Sequence, residues 1–188
     1  MRNVQQALVA FGGNLQLPDR NLSQTILSAA NDIKSANVRL VRLSRLFASP
    51  CFPAGAGPDY VNAVGLIETS LTAADLLAHL HRVEADYGRE RVQRWGQRTL
   101  DLDLLAMGDL VLPDAVTQDH WRALPLADQA QTTPTQLILP HPRLQDRAFV
   151  LVPLADVAPD WRHPRTGLTV RQMLNRLEPA DIAALTPL

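Results

Sequence analysis

The chain has 188 residues, 46% of them hydrophobic, with 18 basic against 19 acidic side chains and a net charge of −1. That composition is long enough and apolar enough to bury a core as one domain, and it excludes a disordered chain or a polyanion binder acting through net charge. A single cysteine, Cys51, excludes an internal disulfide framework, and no run approaches a secretory leader or a membrane span, so the expectation is a cytoplasmic protein.

Gln5–Phe11 is a short apolar run ending at Gly12-Gly13-Asn14, which predicts a buried strand followed by a sharp turn. Leu22, Ile26, Leu27, Ala30 and Ile33 then recur at helical spacing, with Asp19 as the expected N-cap and an end near Ala36-Asn37. Val38–Ala48 alternates imperfectly and predicts one strand. Pro50, Pro53, Gly55, Gly57 and Pro58 make Ser49–Asp59 a long loop, and Tyr60–Glu68 alternates as the next strand. Thr72-Ala73-Ala74-Asp75 reads as a capping box for a second helix, with Leu76, Leu77, Leu80, Val83 and Tyr87 as its apolar stripe and Gly88 as its C-cap. Glu84 borders that stripe and reads as a flank charge.

An arginine-rich loop, Arg89–Arg98, leads into a strand that stops near Met107-Gly108, with Leu110–Leu112 as a short return strand. Pro113–Gln136 is polar and irregular, with one helical turn expected at Trp121–Leu124. Ala148–Val157 and Thr169–Leu177 read as helices, the second one amphipathic and packed on the outside. The order strand, helix, strand, strand, helix, strand predicts an α+β fold. It is a ferredoxin-like βαββαβ core, an antiparallel sheet with helices packed on it, plus C-terminal helical additions.

The chemistry concentrates in one strand. Thr99, Asp101 and Asp103 alternate with Leu100, Leu102 and Leu104, so the leucines pack on a core and both carboxylates leave from the opposite face. Strand rise alone separates the two α-carbons by about 7 Å. Paired divalent cations lie roughly 3.5–4 Å apart in phosphoryl-transfer sites, a gap that two such carboxylates can clamp from one side. Arg94 and Arg98 add forked donors for phosphate and Trp95 a flat face for a ring.

The stretch Arg94-Trp95-Gly96-Gln97-Arg98-Thr99-Leu100-Asp101-Leu102-Asp103-Leu104-Leu105 resembles the signature of the 6-hydroxymethyl-7,8-dihydropterin pyrophosphokinase family of folate synthesis. Gly12-Gly13-Asn14-Leu15, Pro58-Asp59-Tyr60-Val61-Asn62-Ala63 and Pro140-His141-Pro142-Arg143 are similar to its other motifs, in the family's order. The resemblance implies transfer of the β,γ-pyrophosphoryl group of ATP to the hydroxymethyl group of a reduced pterin, with AMP as the other product. It implies Asp101 and Asp103 as ligands of two Mg²⁺ ions, and Arg89 and Arg98 beside them as catalytic residues. Nucleotide binding falls to Arg91, Trp95, Arg98, Leu104, His141 and Arg147. Pterin binding falls to Ser49, Pro50, Phe52, Tyr60, Asn62, Trp95 and Phe149.

The partners expected on this reading are the two small-molecule substrates, with no nucleic acid and no membrane, for a monomer forming one domain over residues 1–188. Against the family pattern, Gly13 stands where a serine is usual and Gln97 where a proline is usual; residues 113–136 form an insertion and 165–188 a helical appendage. Two other classes compete with the enzyme. A binding module without turnover would be expected to lack one of the aspartates, and an RNA-binding sheet would carry basic and aromatic residues where Asp101 and Asp103 stand.

Overall fold

The computed structural model describes residues 4–51, 57–88, 98–125, 128 and 131–188. Its centre is an antiparallel sheet built from β1 (Gln5–Gly13), β2 (Val38–Leu43), β3 (Phe47–Ser49), β4 (Tyr60–Thr69), β5 (Asp101–Met107) and the short β6 (Thr186–Pro187). The strands run in the order β5-β1-β4-β3-β6, with β2 also pairing β4. β1 and β4 lie inside the sheet and read accordingly as near-continuous apolar runs.

α1 (Leu22–Asp32) and α2 (Ala73–Asp86) cover one face. Ile26, Ala29, Ile33, Leu76, Leu80 and Val83 pack there on Val9, Phe11, Ile67, Leu102 and Leu104. Each large side chain buried this way contributes about 1.5–3 kcal/mol, and that burial rather than helix propensity holds the layers together. The second face carries Leu8, Val64, Leu105 and Ala106, and α4 (Ala148–Val157) and α5 (Val170–Leu174) cover it. A last turn of helix, α6 (Pro179–Ala183), precedes β6.

Several boundaries differ from the sequence expectation for identifiable reasons. Asn21, not Asp19, caps α1: its side chain accepts from the Gln24 amide while the Gln24 side chain accepts from the Asn21 amide, both at 2.9 Å. Asp19 pairs with Arg20 instead. The Val38–Ala48 run is two strands, because Ser44 interrupts it. Its amide donates to the Val64 carbonyl and its hydroxyl accepts from the Val64 amide, both at 2.9 Å. The expected return strand at Leu110–Leu112 is a single bridge between Leu112 and Leu139.

α3 (Ala115–Ala123) is a full helix where one turn was expected. Its one buried residue is polar, Gln118, so no apolar period announced it. Gln118 donates to the Pro140 carbonyl at 3.1 Å, and Asp119 takes both Arg122 (2.9 Å) and Arg165 (3.1 and 2.6 Å). α3 thereby ties the Pro140 segment to the turn after α4.

His163 lies fully buried in that turn, its Nδ1 accepting from the amides of Arg165 (3.1 Å) and Thr166 (3.4 Å), with Arg122, Asp119, Arg165 and the Trp161 ring around it. Burial, and then the charge of Arg122, push its pKa from 6.5 down to about 4. The unfolded chain therefore binds this proton first. Its share of stability is complete above pH 6.5 and declines as the pH falls towards 4. His163→Asn, which keeps an acceptor, is expected to flatten the dependence of the urea midpoint on pH across that window. An unchanged slope would assign the acid sensitivity to other groups.

Candidate active site

The alternation in β5 survives into the structure. Leu102 and Leu104 are buried against the α1–α2 layer, and the half-buried Asp101 and Asp103 leave from the face that α4 covers. The strand is fixed at a defined depth by two bonds from outside the sheet. Glu84 of α2, 1% exposed, accepts the Leu102 amide at 2.7 Å, and the His141 amide donates to the Leu105 carbonyl at 2.8 Å. Arg98 reaches three residues forward to Asp101, Nη1 to Oδ2 at 2.5 Å, with both side chains only partly exposed. A charge-assisted bond in a half-desolvated place is far stronger than one at an open surface.

Strand register sets what lies beside the carboxylates. Asp101 pairs with Gly12, and Gly12 on its other side pairs with Asn62; one step along, Asp103 pairs with Ala10 and Ala10 with Val64. Asn62 and Asp101 thus face the same way two strand spacings apart, about 10 Å, with nothing but a glycine between them. A Cβ on Gly12 would sit 3.5 Å from the Asn62 Oδ1, so the amide oxygen looks over that bare floor. The Asn62 Nδ2 donates to the Ser49 Oγ at 2.9 Å, which fixes which way round the amide lies.

The expected turn at Gly12-Gly13 is not one. β1 continues through Gly13, and neither glycine has a positive φ. The glycines serve close approach instead: a Cβ on Gly13 would lie 2.6 Å from the Thr99 carbonyl oxygen.

α4 and the segment before it complete the wall. Arg147, at the N-terminus of α4, lies with its Cζ 5.5 Å from the centroid of the Phe149 ring, and that ring is 40% exposed. Burial lowers the Arg147 pKa, and the charges of Asp103 and Asp101 oppose that shift. Burial and then the charge of Arg147 push the His141 pKa down to about 3, against an opposing pull from Asp101. Its Nδ1 accepts from the Arg143 amide at 3.1 Å, which leaves the proton on Nε2.

The structure therefore brings together Arg98, Asp101, Asp103, His141, Arg147 and Phe149, with Ser49, Tyr60 and Asn62 across the Gly12 floor. Pro50 is exposed next to Ser49. The Leu104 side chain is 3% exposed and packs in the α1–α2 core. Phe52, Arg89, Arg91 and Trp95 lie outside the described residues.

Glu84 is the residue that the sequence reading undervalued. Its spacing from Leu80 and Tyr87 puts it on the buried face of α2, a signal the sequence did contain. Among the described residues no three His, Cys, Asp or Glu side chains gather around a point, and Asp101 and Asp103 are a carboxylate pair on one face of β5. Two hard oxygen donors fit Mg²⁺, which keeps waters and takes phosphate oxygens for the rest of its shell.

Residues 8–159 match the family model for 7,8-dihydro-6-hydroxymethylpterin-pyrophosphokinase. The chain belongs to this pyrophosphokinase family. A relative from Synechocystis, named 2-amino-4-hydroxy-6-hydroxymethyldihydropteridine pyrophosphokinase, is 36% identical over 96% of this chain and 80% of its own. Proteins of the same name from Pseudomonas aeruginosa (39% identical, 86% and 85% covered) and Haemophilus influenzae (32%, 96% and 98%) are also similar. Among solved structures, wild-type HPPK-DHPS of Plasmodium falciparum matches 94% of this chain with a TM-score of 0.63 at 13% identity, a likeness of fold. This pyrophosphokinase chain spans 42% of that longer protein's length.

Proposed function

We propose that this enzyme transfers the β,γ-pyrophosphoryl group of ATP to the hydroxymethyl oxygen of 6-hydroxymethyl-7,8-dihydropterin, giving the pterin diphosphate and AMP, as a step of folate biosynthesis. Family membership and the names of the relatives support the reaction. The observation that carries the reading is the bare floor over Gly12, with Asn62 at one end and the Arg98–Asp101 pair at the other.

A flat ring lying on that floor would meet the Asn62 amide edge and the face of Phe149, leaving its hydroxymethyl group towards the carboxylates. Mg²⁺ ions held by Asp101 and Asp103 would supply Lewis-acid neutralisation of charge on the triphosphate. Arg98 and Arg147 would orient the phosphates as planar donors, and His141 would add an uncharged Nε2–H donor. The hydroxymethyl oxygen bonds to the β-phosphorus, the bond to the α,β-bridging oxygen breaks, AMP leaves and the hydroxyl proton is released. No strong base is required of the chain.

The strand order supports reading the core as ferredoxin-like, one βαββαβ domain with a helical C-terminal addition after it. No helix among the described residues is long and apolar enough to cross a membrane. A near-neutral monomer in the cytoplasm agrees with the composition. Nucleotide analysis after mixing with ATP, Mg²⁺ and the hydroxymethyl pterin should show AMP that depends on the pterin. ADP in its place, or AMP without pterin, would overturn the assignment.

A further inference from the structure

Three hydrogen bonds join the end of β1 to the main chain of Arg98. The amides of Asn14 and Leu15 both donate to the Arg98 carbonyl, each at 3.0 Å, and the Arg98 amide donates to the Asn14 Oδ1 at 2.9 Å. Asn14 is 6% exposed, so these bonds form in a place that water does not reach freely. The approach is close enough to exclude a side chain at the neighbouring position. The bare Gly13 lets the Thr99 carbonyl come within 2.6 Å of where its Cβ would be. The family's usual serine there would force the Arg98–Thr99 backbone to move.

The effect of this contact falls on one side chain. Arg98 has its amide and its carbonyl both fixed by Asn14 and its neighbour, and Thr99 is tied by its hydroxyl to the Tyr87 carbonyl at 2.7 Å. With the main chain held on both sides, the guanidinium has a fixed origin from which to reach Asp101. An arginine side chain has large rotamer freedom, and a floating backbone beneath it would spread the guanidinium over many positions.

We propose that Asn14 is a positioning residue for Arg98, acting through the Arg98 main chain to place its guanidinium on Asp101. The functional half of this inference rests on the pyrophosphoryl-transfer reading; the structural half does not.

The test uses the full chain with Asn14→Ala, Asn14→Asp, Arg98→Ala and the Asn14→Ala/Arg98→Ala double variant. The first readout is hydrogen exchange at the Arg98 amide, which needs no activity. Exchange is expected to rise at least about tenfold in Asn14→Ala while the amides of β1 and β4 keep their protection. Asn14→Asp, which keeps the acceptor, is expected to restore protection at Arg98.

The second readout is steady-state AMP release. Asn14→Ala is expected to lose about 10–100-fold in kcat, the effect of a misplacement near an ångström, with KM for the pterin within about twofold. Asn14→Asp is expected to recover most of that kcat. In the Arg98→Ala background, Asn14→Ala is expected to cost nothing more, because its effect passes through the side chain already removed.

Unchanged exchange at Arg98 overturns the proposal, and so do additive losses in the double variant. Loss of protection throughout the sheet, unrelieved by Asn14→Asp, would make Asn14 a general stabilising residue and overturn it too. If the wild type releases no AMP, the transfer reading has failed, and the exchange result alone decides whether Asn14 positions Arg98.

Discussion

Asp101→Asn is expected to leave a folded protein whose AMP release is slower by about 10³-fold or more. The substitution keeps the shape of the side chain and removes its charge. Because Asp101 leaves from the face opposite Leu102, no core contact is lost. What is lost is one carboxylate of the β5 pair and its ion pair with the Arg98 guanidinium. Removing one group aimed at developing charge typically costs 10²–10³, and on the proposed reading a cation ligand goes as well, hence the upper end of that range. Single-turnover AMP formation, alongside a melting curve, checks it. A rate within about tenfold of wild type would show that the carboxylate pair is not where the chemistry occurs.

Leu102→Ala is expected to produce the reverse pattern. Leu102 is 2% exposed in the core between the sheet and α1–α2, and it sits between the two aspartates in sequence. Truncation leaves a cavity that the packed sheet cannot collapse into, at a cost of about 3 kcal/mol. For a chain of this size that lowers Tm by roughly 6–12 °C. Urea unfolding of the two variants side by side is the measurement. A loss below about 0.5 kcal/mol for Leu102→Ala would mean that the alternation in β5 does not divide core from site.

That division is the part of the structure most legible in the sequence. A period of two is a geometric property of the strand itself, so Leu100, Leu102 and Leu104 could be assigned to the core and Asp101 and Asp103 to the opposite face without knowing any neighbour. The same holds for α2, whose apolar stripe and Gly88 end were readable in place; Gly88 has a φ of 73°.

What could not be read depended on partners distant in sequence. Gly12 and Gly13 carry the usual mark of a turn, and nothing local says that Thr99 closes on one and Asn62 looks over the other. α3 buries one amide and no apolar stripe, so hydrophobic periodicity had nothing to detect. Ser44 breaks a plausible strand because Val64, twenty residues on, supplies both main-chain partners.

Among the described residues β5 ends the sheet on one side, beyond β1, and an end strand is ordinarily a template on which another chain can grow. Here that template is blocked. The Leu102 amide is taken by Glu84 and the Leu105 carbonyl by the His141 amide. A strand arriving from a second molecule would have to displace α2 to reach that amide and the Pro140–His141 segment to reach that carbonyl. The same two bonds that set the depth of the aspartates also take up edge positions on which a second sheet strand would build.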